Sequence, residues 1–272
     1  APTVNPTKYF MLIDGMNGGS SDKGHAGWFD ISDFSLDMSK VVDINKGGGA
    51  SVGKPDFGNL DVHLSADTGL TALLQAQAEG KHIKGARIEG VVDNNDRPQA
   101  VYDLTVADLL ISKLANTDGA GFNLGVDYSK IEVATQGLDS KGARAVTPAV
   151  YSYDKVSGKS DIKISNLTIG SSKGAVENPT KYFLAIDGVA GASADKDHKG
   201  WLEVDSFSLS SETPVNKTGS GAAAGKTSYS SLNLILADKS ALTKLTSLAV
   251  GGVSTKYATL EGVTSTGLVN YK

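Results

Sequence analysis

Along most of this chain apolar and polar residues alternate with period two, the signature of half-buried β-strands. The cleanest case sets Leu60, Val62 and Leu64 on one face against Asp61, His63 and Ser65 on the other. Lys8 to Asp14 reads as a strand closed by an Asp14-Gly15 turn. From Trp28 to Leu36 the pattern breaks: Phe29 and Ile31 share a face, but the next large apolar residue, Phe34, lies an odd step away. An odd step sends the apolar set to the opposite face unless a bulge or sheet corner intervenes, so the strand is expected to bend there. Further strands are predicted near Lys84 to Val92, Ala100 to Lys113 and Phe122 to Thr135, the last changing parity between Tyr128 and Ile131 at a second corner. Helical spacing appears at Leu70, Leu73, Leu74 and Gln77, with Asp67 or Thr68 as N-cap and Gly80 as the stop. Phe10, Leu12, Ile31, Leu60, Val62, Leu64 and Ile88 are expected to be largely buried.

The pattern occurs twice. Asn5 to Leu36 returns without a gap as Asn178 to Leu209, most positions identical. The second copy repeats the odd step (Leu202 and Val204, then Phe207 and Leu209), an alternating strand (Leu232, Leu234, Leu236) and a helical step (Leu242, Leu245, Leu248). Its strand Tyr257 to Val263 matches Gly85 to Val91. Glycine-rich loops are expected at Lys46 to Pro55 and Gly219 to Thr227. A period of about 170 residues is far above the roughly 20 to 50 of a solenoid, so each copy should be domain-sized. The organisation expected is a module over 1–159, a linker or extra strand over 160–177, and a second module over 178–272. One short helix per copy among many strands makes the chain mainly β, of the α+β class. The second module reaches Lys272 near the counterpart of Asp103 and lacks two long strands, which leaves open edges. Three completions are open: a longer natural chain, a strand from a neighbouring chain, or closure in cis by Asp161 to Gly170, where Ile162, Ile164, Leu167 and Ile169 are the apolar positions.

Composition narrows the chemistry. There is no Cys, which excludes thiolate catalysis, disulfides and cysteinyl metal sites. Net charge is −4 without a Lys/Arg cluster, which argues against nucleic acid and anionic membrane as partners. No apolar run approaches a membrane span. The start Ala-Pro-Thr, without Met, fits cleavage of a secretory signal peptide, so a secreted or cell-surface location is expected. Gly48 to Lys54 has phosphate-loop spacing, but Pro55 stands where Ser or Thr should hold magnesium, and the segment precedes a strand. Asp93 to Asp96 lacks the spaced ligands of a calcium loop. Of four histidines only His25 and His198 recur, in the frame Asp-Lys-x-His-x-Gly-Trp. Asp22 with His25 would supply two metal ligands at most, and its only recurring hydroxyl nearby is Ser20, matched by Ser193. A hydrogen bond ordering the loop, to backbone or to a neighbouring subunit, is expected there. No cofactor, metal or catalytic constellation is expected.

The ordered motifs IDG, DKGH, GW, FSL, GKPDF, LLQAQAEGKHIKGARIEG, YDLTVADLLIS and VDYSKIEV resemble the Hcp family, the haemolysin-coregulated tube proteins of type VI secretion. The resemblance covers Lys8 to about Lys159 as a complete module and Lys181 to Lys272 as one cut short. It implies a small two-sheet β-barrel with a flanking helix, six subunits in a ring, and rings stacked into a tube. The tandem arrangement and apparent processing depart from the family's pattern and also fit an exported relative building an extracellular tube or filament. The expectation is therefore a non-enzymatic structural protein that self-associates, with strand exchange between subunits as one route; a secreted adhesin or toxin using the fold as a monomer is the alternative. Candidate interface residues are Asp22, His25 and Trp28, their counterparts Asp195, His198 and Trp201, and Lys46 and Lys54 in the Lys40 to Lys54 loop, which the resemblance equates with a ring-contacting loop.

Overall fold

Six strands of the first repeat close on themselves. They are β1 (Lys8–Ile13), β2 (Phe29–Asn45), β3 (Gly49–Leu64), β4 (Ile83–Asn94), β5 (Arg97–Thr117) and β6 (Phe122–Thr135), with helix α1 (Leu70–Ala78) between β3 and β4. Antiparallel pairing runs β1–β2–β3–β6–β5–β4 and returns to β1, completing a barrel. The computed structural model describes residues 5–45, 49–94, 97–117, 121–139, 141–144, 147–164, 167–170, 179–218 and 221–272. Alternation decides the interior: Met11, Phe29, Leu60, Leu64, Ile88, Leu104 and Phe122 point inward and are buried. Each such side chain contributes about 1.5–3 kcal/mol. All seven residues expected to be buried are so.

The odd steps are bulges. Pairing of β2 with β3 shifts register between Ile31 and Asp33. The second repeat shifts at the equivalent place, between Val204 and Ser206. The corner in β6 lies opposite Asp108 of β5, which adopts a positive φ of 52°. That conformation is uncommon outside glycine and kinks the strand.

Two local expectations fail. The Gly-rich segment after Lys46 is strand from Gly49 on, in a long hairpin that pairs Val52 with Val42 and Ala50 with Ile44. Main-chain pairing along this ladder outweighs the low strand propensity of glycine. In the second repeat the corresponding region holds a short hairpin, β11 (Val215–Thr218) with β12 (Gly221–Ala224). Helix α1 starts without a side-chain cap: Gly69, at φ 81°, is its N-cap. The carboxylate of Asp67 is turned instead toward Asn116 and Tyr182, because a bond into the second repeat competes successfully for it.

Beyond β6 come β7 (Ala149–Asp154), paired on the later half of β6, and β8 (Lys159–Ser160). The chain then straps the first barrel. The Ile162 carbonyl accepts from Ser152 Oγ at 2.6 Å, Lys84 Nζ donates to the Thr168 carbonyl at 2.7 Å, and Gly15 N donates to the Gly170 carbonyl at 2.8 Å. Leu167 lies over Gly85, where an added Cβ would sit 2.4 Å from its Cδ2. Closure of the second module in cis by Asp161 to Gly170 is therefore overturned, since the described residues of this segment hydrogen-bond to the first repeat.

The second repeat comprises β9 (Lys181–Ile186), β10 (Leu202–Glu212), the hairpin above, β13 (Ser228–Tyr229), β14 (Asn233–Leu236), α2 (Leu242–Gly251), β15 (Ala258–Val263) and β16 (Val269–Tyr271). Its path β16–β15–β9–β10–β14 does not close: among the described residues, β14 and β16 are each paired on one side. Its core is smaller, built on Tyr182, Leu184, Leu202, Val204, Phe207 and Ala241. No residue of α2 is buried.

Candidate assembly interface

Each repeat carries the same histidine latch. In the first, the loop folds back so that Asp22 accepts from the His25 backbone at 3.1 Å and meets His25 Nδ1 at 2.8 Å. The other ring nitrogen meets Glu89 of β4 at 3.0 Å. Phe10 stacks on the imidazole with centroids 4.0 Å apart, and Trp28 abuts it edge-on at 4.9 Å. In the second repeat His198 meets Asp195 at 3.0 Å and Glu261 of β15 at 3.1 Å, stacked on Phe183 and abutted by Trp201. The recurring glycine before each loop is required by close approach. A Cβ on Gly18 would lie 2.3 Å from Phe29 N, and one on Gly191 2.1 Å from the Trp201 carbonyl oxygen.

Two carboxylates on one ring demand two N–H donors, so the latch geometry is that of an imidazolium. Burial opposes the charge on His25, yet the bonds from Glu89 and Asp22 outweigh it and raise its pKa. Burial likewise pushes Asp22 and Glu89 up, but bonding to His25, joined at Glu89 by Arg87, holds both below their ordinary values. A raised histidine stabilises fully below its unfolded value and loses that contribution as pH rises through the folded one; lowered carboxylates do the reverse on acidification. The latch is strongest between about pH 4.5 and 6.5. Urea unfolding should accordingly show stability falling from pH 6 to 8.5, with the slope reduced in His25→Gln. An unchanged slope would refute the charged latch.

The second contact region is the seam between repeats. Residues Ser208–Glu212 of β10 pair antiparallel with Lys113–Thr117 of β5, which continues the first barrel's sheet into the second repeat. Behind the seam Gln77 of α1 donates to the Ser211 carbonyl at 3.2 Å and accepts from Ser211 Oγ at 2.5 Å. Tyr182 OH donates to Asp67, whose other oxygen accepts from Asn116 at 3.1 Å. Burial keeps the pKa of Asp67 raised in spite of these bonds. Tyr182→Phe removes a donor from a buried carboxyl and should cost about 1–3 kcal/mol in denaturant unfolding.

His25 and His198 are buried, each tied to its own loop and to a glutamate of a neighbouring strand, whereas Asp22, Trp28, Asp195 and Trp201 are partly exposed around them. Lys54 is exposed on β3 near Gly158, and Lys46 lies outside the described residues. Glu89, Glu261 and the Gln77–Ser211 and Asp67–Tyr182 pairs were missed by sequence reasoning. For the glutamates a signal existed: both precede a glycine in the matched strands, as Glu89-Gly90 and Glu261-Gly262.

The family described as "Type VI secretion system effector, Hcp" matches residues 10–134 and 183–270. No curated protein sequence matches. A solved structure described as "Structure of a type six secretion system protein" aligns at 16% identity and TM-score 0.52, over 57% of this chain and 99% of its own. Hcp1 from Salmonella typhimurium aligns at 21% identity and TM-score 0.45, over 56% of this chain and 97% of its own. A type VI secretion system effector from Yersinia pestis aligns at 19% identity and TM-score 0.40, over 54% and 98%. At 16% identity the first of these shows a likeness of fold.

Proposed function

Because this chain belongs to the Hcp family of type VI secretion effectors, we propose that it is a non-enzymatic structural subunit that self-associates edge to edge into rings, tubes or filaments. The observation that carries this reading is the seam. Two repeats of one fold already join through a strand edge, and the duplication says where the next joint lies. Ser35–Ser39 of β2 are the counterparts of Ser208–Glu212 of β10, yet among the described residues their outer edge has no strand beside it, since β1 pairs only with Phe29–Ile31. Met38, the counterpart of Ser211, is 66% exposed on that edge. An open edge is a template for another chain.

The proposal takes 1–159 and 178–272 as the two modules, with 160–177 joining them; the separate cores of the two repeats support that division. It also places Asp22, Trp28, Asp195, Trp201 and Lys54 at contacts between subunits, and the protein outside the cell. No described helix is long and apolar enough to cross a membrane. Electron microscopy of the purified chain should show rings or filaments. Met38→Lys, which sets a charge on that exposed edge, should reduce them at least tenfold while leaving the melting midpoint of the dispersed protein within a few degrees. Isolated particles of 28.1 kDa at every concentration would favour the monomeric binding protein instead.

A further inference from the structure

We infer that the joint between the two repeats is operated by one proton on Asp67: the neutral acid closes it, and ionisation as pH rises loosens the second repeat from the first. Asp67 lies between β3 and α1 and is 8% exposed. One carboxyl oxygen accepts from Tyr182 OH of β9, and the other accepts from Asn116 Nδ2 of β5 at 3.1 Å. The seam itself runs through Asn116, which faces Leu209 of β10. Asp67 therefore ties the last turn of the first barrel's sheet to the first strand of the second repeat.

Donors and acceptors in this cluster balance only when Asp67 carries a proton. An ionised carboxylate is an acceptor alone. No Lys, Arg or His acts on this one among the described residues, and α1 has no basic residue in its last turn and no acidic one in its first. The titratable groups that face it are Tyr182 and Tyr271 of β16; burial pushes both up, Tyr271 to about 12, so neither charges near neutral pH. Asn116 is 5% exposed, and its amide oxygen Oδ1 is buried with no hydrogen-bond partner among the described residues. A protonated Asp67 brings the O–H donor that this amide lacks. An ionised Asp67 leaves a buried charge without a cation beside an orphaned acceptor, and both are costly.

Burial, the largest influence, raises the Asp67 carboxyl above the ordinary aspartate value in spite of its two bonds. An acid raised in this way stabilises the closed joint fully below its unfolded value of about 3.9, and that contribution is lost as pH climbs through the folded one. A cleft of about 370 Å³ lined by Asn17, Asp67, Gly69, Pro179 and Tyr271 gives solvent protons access to the carboxyl. These contacts lie within one chain, so the inference stands whether or not chains assemble.

In the full chain, the Asp67 Cγ resonance, assigned by its loss in Asp67→Asn, should titrate with a midpoint above the ordinary value of about 3.9. Hydrogen exchange, corrected for its intrinsic pH dependence, should show the amides of Ser208–Glu212 losing at least tenfold more protection between about pH 4.5 and 8 than in Asp67→Asn. Asparagine offers an N–H donor at every pH and never ionises, while the pH dependence of the His25 latch is common to both proteins and cancels. A midpoint at or below the ordinary value, or the same pH dependence of protection in both proteins, would overturn the proposal.

Discussion

Replacing Ser211 by proline is expected to detach the second repeat while the first stays folded. Ser211 faces Leu114 across the seam and bonds Gln77 through both its carbonyl and its hydroxyl. Proline in a paired strand removes a ladder donor and strains the backbone, at a cost of about 3 kcal/mol or more. Gln77, 1% exposed, would also lose the Ser211 hydroxyl that donates to it, worth about 1 kcal/mol. The second repeat has a small core and an open circuit, so these losses fall on the weaker unit. Denaturant unfolding followed by hydrogen exchange should resolve an early transition confined to β9–β16 and a later one of the first barrel. Ser211→Ala, which removes the hydroxyl alone, should cost only about 1 kcal/mol. A single cooperative transition in the proline variant, shifted no further than in the alanine variant, would show that the seam does not hold the repeats together.

His25→Ala is the second large effect. It deletes the cation that both Asp22 and Glu89 face, and the ring that Phe10 and Trp28 pack against. Removing one partner of a buried ionic cluster costs about 3 kcal/mol, since the remaining charges lose their compensation. Arg87 still meets Glu89 at 2.7 Å, and Asp22 is partly exposed, so the loss should sit at the lower end of what buried pairs show. The deficit relative to wild type should be greatest near pH 6 and shrink by pH 8.5, where the native imidazolium is itself losing its proton. A deficit that does not change with pH would assign the latch to packing alone.

Local patterning was legible because a strand turns successive side chains to opposite faces whatever lies around it. From that periodicity came the inward residues of β3, and the bulges after Ile31 and Val204; in β1, Phe10 and Leu12 are buried outside the barrel core, which Met11 and Ile13 fill. The duplication made the same positions readable twice. At Gly49–Val52 the reading failed, because composition describes a segment alone and not the strand opposite it. It failed again at Asp67, where capping a helix and bonding Tyr182 are comparable local choices and only the nearness of the second repeat favours the latter. Within the histidine loop Asp22 was visible three residues from His25, but Glu89 lies 64 residues on. Sequence by itself determined a duplicated, mainly β chain and the apolar face of strands such as β3. Tertiary structure alone decided which edges meet: β10 on β5, and the strap at 161–164 and 167–170 on the first barrel. An edge strand offers the same N–H and C=O groups to any partner, so the choice rests on which edge the rest of the fold brings within hydrogen-bonding distance.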